Sequence, residues 1–148
     1  MTAFPLRPLL VVEDSAEDFT ALTRVFRKLG LPHPVVRCED GDQALAYLQG
    51  HGRAEGWPDT LPALVLLDLN LPGTDGRAVL ETLKQDPRLQ ALPVVVLSTS
   101  SSTRDVEHCY QLGANGYLTK PIQYAALEAK LRVAVQYWLE ASELPQVN

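Results

Sequence analysis

Five residues of complementary chemistry each follow a short apolar run. Glu13 and Asp14 come after Leu9-Leu10-Val11-Val12, Asp68 after Ala63-Leu64-Val65-Leu66-Leu67, Ser98 after Val94-Val95-Val96-Leu97, and Lys120 shortly after Gly116-Tyr117-Leu118. Three carboxylates brought together repel and raise one another's pKa values unless a cation sits among them. An all-oxygen donor set suits Mg²⁺ that keeps several waters. A carboxylate fixed at the end of a buried strand can act as a nucleophile and form an aspartyl phosphate. Transferring a phosphoryl group asks mainly for positioning and charge neutralisation, which a metal, Lys120 and the Ser98 hydroxyl could share among the equatorial oxygens. The plainer alternative makes the acids solvated loop residues, Asp14 a helix cap and Lys120 a surface charge. It serves for any one of them, but poorly for all of them at strand ends of one pattern.

The elements that must position these groups are legible as periodicity. The Val- and Leu-rich runs, with Val35-Val36-Arg37-Cys38 as a fifth, do not alternate with polar residues, as strands covered on both faces do not. Between them lie helical patterns. Phe19, Leu22, Phe26 and Leu29 form one stripe, with Ser15 and Asp18 as a capping box and Gly30 as the stop. Ala44-Leu45-Leu48, Val79-Leu80-Leu83 and Val106-Cys109-Tyr110 mark three shorter helices, and a fifth is expected from about Ile122 to Leu144. Strands alternating with helices imply right-handed βαβ units, hence an α/β, doubly wound, five-stranded parallel sheet with five helices. Ligands of such sheets bind beyond the carboxyl ends of the strands, where the five residues should converge. The Gly- and Pro-rich stretch 49–62 reads as a surface loop.

The chain has 148 residues, enough for one domain, with 46% hydrophobic and 21% charged residues. A single domain over 1–148 is expected, its core at about 8–140 and its last helix extended to about 144. The net charge of −5 has the wrong sign for a nucleic-acid footprint. No apolar run approaches the roughly 20 residues of a membrane span, and no signal-peptide core precedes Glu13, so a cytoplasmic location is expected. Cys38 and Cys109 show no metal or disulfide spacing and read as buried small hydrophobes. His33, His51 and His108 likewise suggest no ligand or nucleophile role.

The chain resembles response-regulator receiver domains of the CheY type. The residues carrying the resemblance are Val11-Val12-Glu13-Asp14-Ser15, the stretch from Leu66-Leu67-Asp68 to Gly73-Thr74-Asp75-Gly76, Val94 to Ser100, and Gly113 to Pro121. It implies strand order 2-1-3-4-5 and Asp68 as the phosphoacceptor. It also implies Mg²⁺ (or Mn²⁺) held directly by Asp14, Asp68 and the Asn70 backbone carbonyl, with Glu13 acting through a metal-bound water. Ser98 would be the switch hydroxyl, Lys120 the phosphoryl contact and Tyr117 the aromatic whose rotamer follows the state. Pro121 would follow a cis peptide bond, and Gly73 and Gly76 read as turn residues that permit positive φ. Ser98 stands where Thr is commoner, and Leu71 where Met is frequent. The implied function is that of a stand-alone regulator, not a turnover enzyme, which takes its phosphoryl group from a histidine kinase and signals through protein contacts. The long loop before the third strand, the Leu-Asn-Leu-Pro-Gly-Thr-Asp-Gly stretch and the long last helix are most similar to regulators of bacterial phytochrome-type kinases.

Rival chemistries lack a required part. A haloacid-dehalogenase-type hydrolase needs a second Asp two residues after its nucleophile, where this chain has Asn70. A flavodoxin-like carrier needs a phosphate-cradling loop where Glu13-Asp14 stand, and no GxxxxGK[ST] loop is present. The remaining rival is a receiver-like scaffold that is never phosphorylated, and the intact set of Glu13, Asp14, Asp68, Ser98 and Lys120 argues against it. On the last helix Leu127, Leu131, Ala134 and Trp138 form one apolar stripe, and Ile122, Ala126, Ala129, Val133 and Tyr137 a second. A monomer can cover only one, so a homodimer through this helix, the fourth helix and the fifth strand is expected.

Overall fold

The computed structural model describes residues 6–50 and 60–145. Its strands, β1 (Leu9–Val12), β2 (Val35–Cys38), β3 (Leu64–Asp68), β4 (Val94–Ser98) and β5 (Gly116–Thr119), form one parallel sheet in the order β2-β1-β3-β4-β5. Helices α1 (Ala16–Lys28), α2 (Gly41–Gln49), α3 (Gly76–Gln85), α4 (Thr103–Gln111) and α5 (Tyr124–Gln136) cover both faces. Strand side chains alternate between two cores. Leu9, Val11, Leu64, Leu66, Val95 and Leu97 pack with α1 and α5, while Leu10, Val12, Val65, Leu67, Val94 and Val96 pack with α2, α3 and α4. Both faces are therefore apolar, which explains the unalternating runs. The expected loop 49–62 falls largely outside the described residues, as does His51.

Register aligns the strand ends. Val12 lies beside Leu67, Asp68 beside Leu97, and Ser98 beside Thr119. Glu13 continues β1 by donating its N–H to the Cys38 carbonyl, and the Lys120 N–H donates to the Ser98 carbonyl at 2.7 Å. The chemistry-bearing residues thus arrive at one edge of the sheet through backbone pairing alone. Cys38 and Cys109 are buried, and burial pushes the Cys38 thiol up to about 12.

Helix ends follow their caps, with instructive exceptions. Gly30 follows α1 at φ +65° and Gly50 ends α2 at φ +80°. Gly73 has φ +69°, as expected of a turn glycine, but Gly76 does not have positive φ. Its constraint is space, since a Cβ there would lie 2.3 Å from the Asp68 carbonyl oxygen and 2.7 Å from Leu69 Cα. The expected cis bond before Pro121 is absent; the trans form is the one X–Pro bonds favour by about 0.5–1 kcal/mol.

The last helix differs most from expectation. It begins at Tyr124, not Ile122, and gives way at Tyr137–Ala141 to a π-helical turn closed by the Ser142 N–H on the Tyr137 carbonyl. Val135 is buried beside Leu131, while Ala134 is only half-buried. Leu127, Leu131 and Trp138 pack on the core as expected, and only at Ala134 does the neighbouring residue, Val135, take the buried place. Beyond the turn, Arg7 donates to the carbonyls of Leu61, Pro62 and Pro145, tying the end of the described chain to the segment before β3.

Candidate functional site

At the carboxyl edge of the sheet Glu13, Asp68 and Ser98 are buried and Asp14 is exposed. Glu13, Asp14 and Asp68 each offer a carboxylate oxygen, all within 4.8 Å of one another. The donor chemistry fits a hard divalent ion: three oxygens, one exposed and two buried, leave an open side for water. Asn70 donates its N–H to Asp68 Oδ1 at 3.1 Å, which fixes that carboxylate from the loop behind it.

Lys120 is the cation of the site. Its Nζ donates to Glu13 Oε1 at 2.5 Å and to Asp68 Oδ2 and Asp18 Oδ2 at 3.2 Å each. All three ammonium donors are spent on carboxylates. Burial by itself would lower the Lys120 pKa, but the hydrogen bond to Glu13 and the charges of Asp68 and Glu13 more than reverse this, so it lies above the usual lysine range. Burial pushes the Glu13 carboxyl up, and Asp68 adds to the rise against the pull of Lys120. Such a pocket holds more negative charge than one ammonium balances.

Ser98 Oγ accepts the Ser100 N–H at 3.1 Å, and the Tyr117 hydroxyl donates to the Ser100 carbonyl at 2.7 Å. Ser98 and Tyr117 are therefore joined through Ser100. Ser100 Oγ in turn donates to Asp105 Oδ2, and Arg77 from α3 donates to Asp105 Oδ1. A separate open cleft between α3 and α4 is lined by Arg77, Arg104, Asp105 and His108. It contains none of the strand-end acids.

The structure brings together Glu13, Asp14, Asp68 and Lys120 as expected, with Ser98 on the neighbouring strand and Tyr117 linked to it. Sequence reasoning missed Asp18 as a site residue, because its place in a capping box accounted for it. It also missed Arg77 and Asp105, whose partnership with Ser100 spans three elements and leaves no local signal.

Residues 9–132 match the family described as response regulator receiver domain. Response regulator Rcp1 of Synechocystis sp. is 41% identical over 141 residues, covering 95% of both chains. A structure of Rcp1 in its Mn²⁺-bound form superposes with a TM-score of 0.86 over 95% of this chain and 99% of that one. The phosphorylated cyanobacterial phytochrome response regulator RcpA superposes with a TM-score of 0.88 at 39% identity, with the same coverage.

Proposed function

The chain belongs to the response regulator receiver domain family, and from that premise we propose that it accepts a phosphoryl group on Asp68 from a phosphorylated histidine kinase. The observation that carries this is the triple contact of Lys120, which places a cation against Asp68 beside two further carboxylates. An Asp68 carboxylate oxygen attacks phosphorus, the bond to the kinase imidazole nitrogen breaks, and the imidazole leaves as an acyl phosphate forms. Lys120 and the Ser98 hydroxyl take phosphoryl oxygens that arrive with the transfer. Asp14, Asp68 and the Asn70 backbone carbonyl would hold Mg²⁺ or Mn²⁺, with Glu13 reaching it through water. When bound, the ion offsets charge that Lys120 alone cannot. The Mn²⁺-bound and phosphorylated relatives support both assignments.

The similarity to the phytochrome response regulator RcpA supports a phytochrome-type histidine kinase as the donor. The reading is of a single receiver domain over 1–148, cytoplasmic, acting through protein contacts and not on nucleic acid, as its net charge of −5 suits. No helix among the described residues is long and apolar enough to cross a membrane. Phosphotransfer profiling tests the donor. Each histidine kinase of the source organism is loaded with labelled phosphate and mixed with this protein. A phytochrome-sensor kinase should lose its label to this chain faster than the others, and a preference for a kinase without that sensor would overturn the pairing.

The same reading includes a homodimer through α5, α4 and β5. Val133 is 68% exposed on α5, Tyr137 is 53% exposed where the π-helical turn begins, and Tyr110 is exposed on α4. Ile122, expected in the same stripe, lies before the helix, fully exposed. Tyr137 stands edge-on to Trp138, with centroids 5.0 Å apart, which presents a preformed aromatic pair. Sedimentation at micromolar concentration should show a dimer. Val133→Glu with Tyr137→Glu should weaken it by about 30-fold or more, since buried aromatic anchors carry about 2 kcal/mol each. A monomeric wild type, phosphorylated or not, would end the proposal.

A further inference from the structure

Asp18 stands at the third position of α1, where an acid ordinarily turns back to the N–H of the capping residue. Only half of that arrangement forms. Ser15 Oγ accepts the Asp18 N–H at 3.2 Å, but the Ser15 N–H is taken by Glu13 Oε2 at 3.3 Å. The Asp18 carboxylate reaches instead to Lys120 Nζ, 102 residues away in sequence. Its side chain is 51% exposed. Lys120 is only 12% exposed, but solvent at Asp18 screens the pair, so its contribution to stability is less than that of a buried pair and a bracing role alone explains it poorly.

Its meaning follows from what the other two partners of Lys120 must do. Glu13 and Asp68 belong to the carboxylate group that fits a divalent ion, and Asp18 does not. A bound cation draws on Glu13 and Asp68 and repels the ammonium. Asp18 is then the one carboxylate in contact with Lys120 that has no competing claim. We propose that Asp18 is a positioning residue for phosphoryl transfer: it keeps the Lys120 ammonium beside Asp68 in the metal-loaded, unphosphorylated protein, so that the arriving phosphoryl group meets a cation already in place. This rests on Asp68 being the phosphoacceptor. Asp18 touches neither phosphoryl group nor metal, and acts only through Lys120.

The test uses the full chain, with Mg²⁺ and labelled acetyl phosphate as probes. At saturating Mg²⁺ and donor, Asp18→Asn should slow labelling by about tenfold, because a loosely held charge forfeits part of its orientation. The Mg²⁺ concentration giving half the maximal rate should change by less than about twofold, and Asp18→Glu should restore most of the rate. In a Lys120→Ala background the Asp18→Asn change should have no further effect. A direct readout is the ¹⁵N–H signal of the Lys120 ammonium, which should persist in Mg²⁺-loaded wild type and be lost to solvent exchange in Asp18→Asn. An unchanged labelling rate, slowing that survives in the Lys120→Ala background, or an equally protected ammonium in both proteins would overturn the proposal. Failure of the underlying reading looks different: Asp68→Asn would then still take up label.

Discussion

Asp68→Asn is expected to lower incorporation of phosphate from a small phosphodonor by at least about 100-fold while the protein stays folded, because an amide replaces the nucleophilic carboxylate. The substitution is nearly isosteric. The amide oxygen can still accept the Asn70 N–H, which now bonds Asp68 Oδ1. On the other side the amide nitrogen replaces Oδ2 and cannot accept from Lys120, so that one contact is lost while Lys120 keeps Glu13 and Asp18 as partners. One negative charge also leaves a group of three whose oxygens lie within 4.8 Å, so repulsion in the metal-free protein falls. The melting temperature should therefore equal the wild-type value or exceed it by about 2–4 °C, the shift that about 1 kcal/mol gives at this size. Loss of label together with retained melting separates lost chemistry from lost fold. A base-labile, acid-stable phosphate gained by Asp68→Asn in wild-type yield would refute the assignment.

Particular residues show why most of this site could be read from sequence. Its members follow Val- and Leu-rich runs, and parallel pairing brings the ends of such runs together whatever lies between them. Asp68 and Lys120 are far apart in the chain, yet each is fixed within one or two residues of a recognisable strand. The residues that escaped notice depend on side-chain direction. Asp18 had an adequate local role as a cap, and only the diversion of the Ser15 N–H to Glu13 reveals its second partner. The Arg77–Asp105–Ser100 chain joins α3, α4 and the loop after β4, three places with no shared periodicity. From sequence Gly76 reads as a torsionally free turn residue, but what matters is the nearness of the Asp68 carbonyl, a tertiary fact. The overlong last helix has a similar cause: apolar residues continue past Gln136, but a π-helical turn carries Trp138 and Leu139 onto the core with α5 already ended.

Removal of divalent ions should stop labelling nearly as completely as loss of the nucleophile. Around Asp68 the described residues supply one ammonium, Lys120, already shared among Glu13, Asp18 and Asp68. A phosphoryl group brings further negative charge to a place where Glu13 and Asp68 are buried. Two like charges 4 Å apart at an effective dielectric near 20 cost about 4 kcal/mol, and each 1.36 kcal/mol is tenfold in rate. Leaving even one such pair unbalanced accounts for a loss of about 1,000-fold. Excess EDTA should therefore abolish transfer from acetyl phosphate, and Mg²⁺ or Mn²⁺ should restore it. Asp14 isolates the role of the cation because it is exposed, and its truncation leaves no buried partner behind. Asp14→Ala should fold normally and retain Asp68, yet need at least about tenfold more Mg²⁺ for half-maximal labelling, the cost of one lost carboxylate ligand. Undiminished transfer in EDTA, or a Mg²⁺ titration of Asp14→Ala that overlays wild type, would show that charge at Asp68 is balanced in some other way.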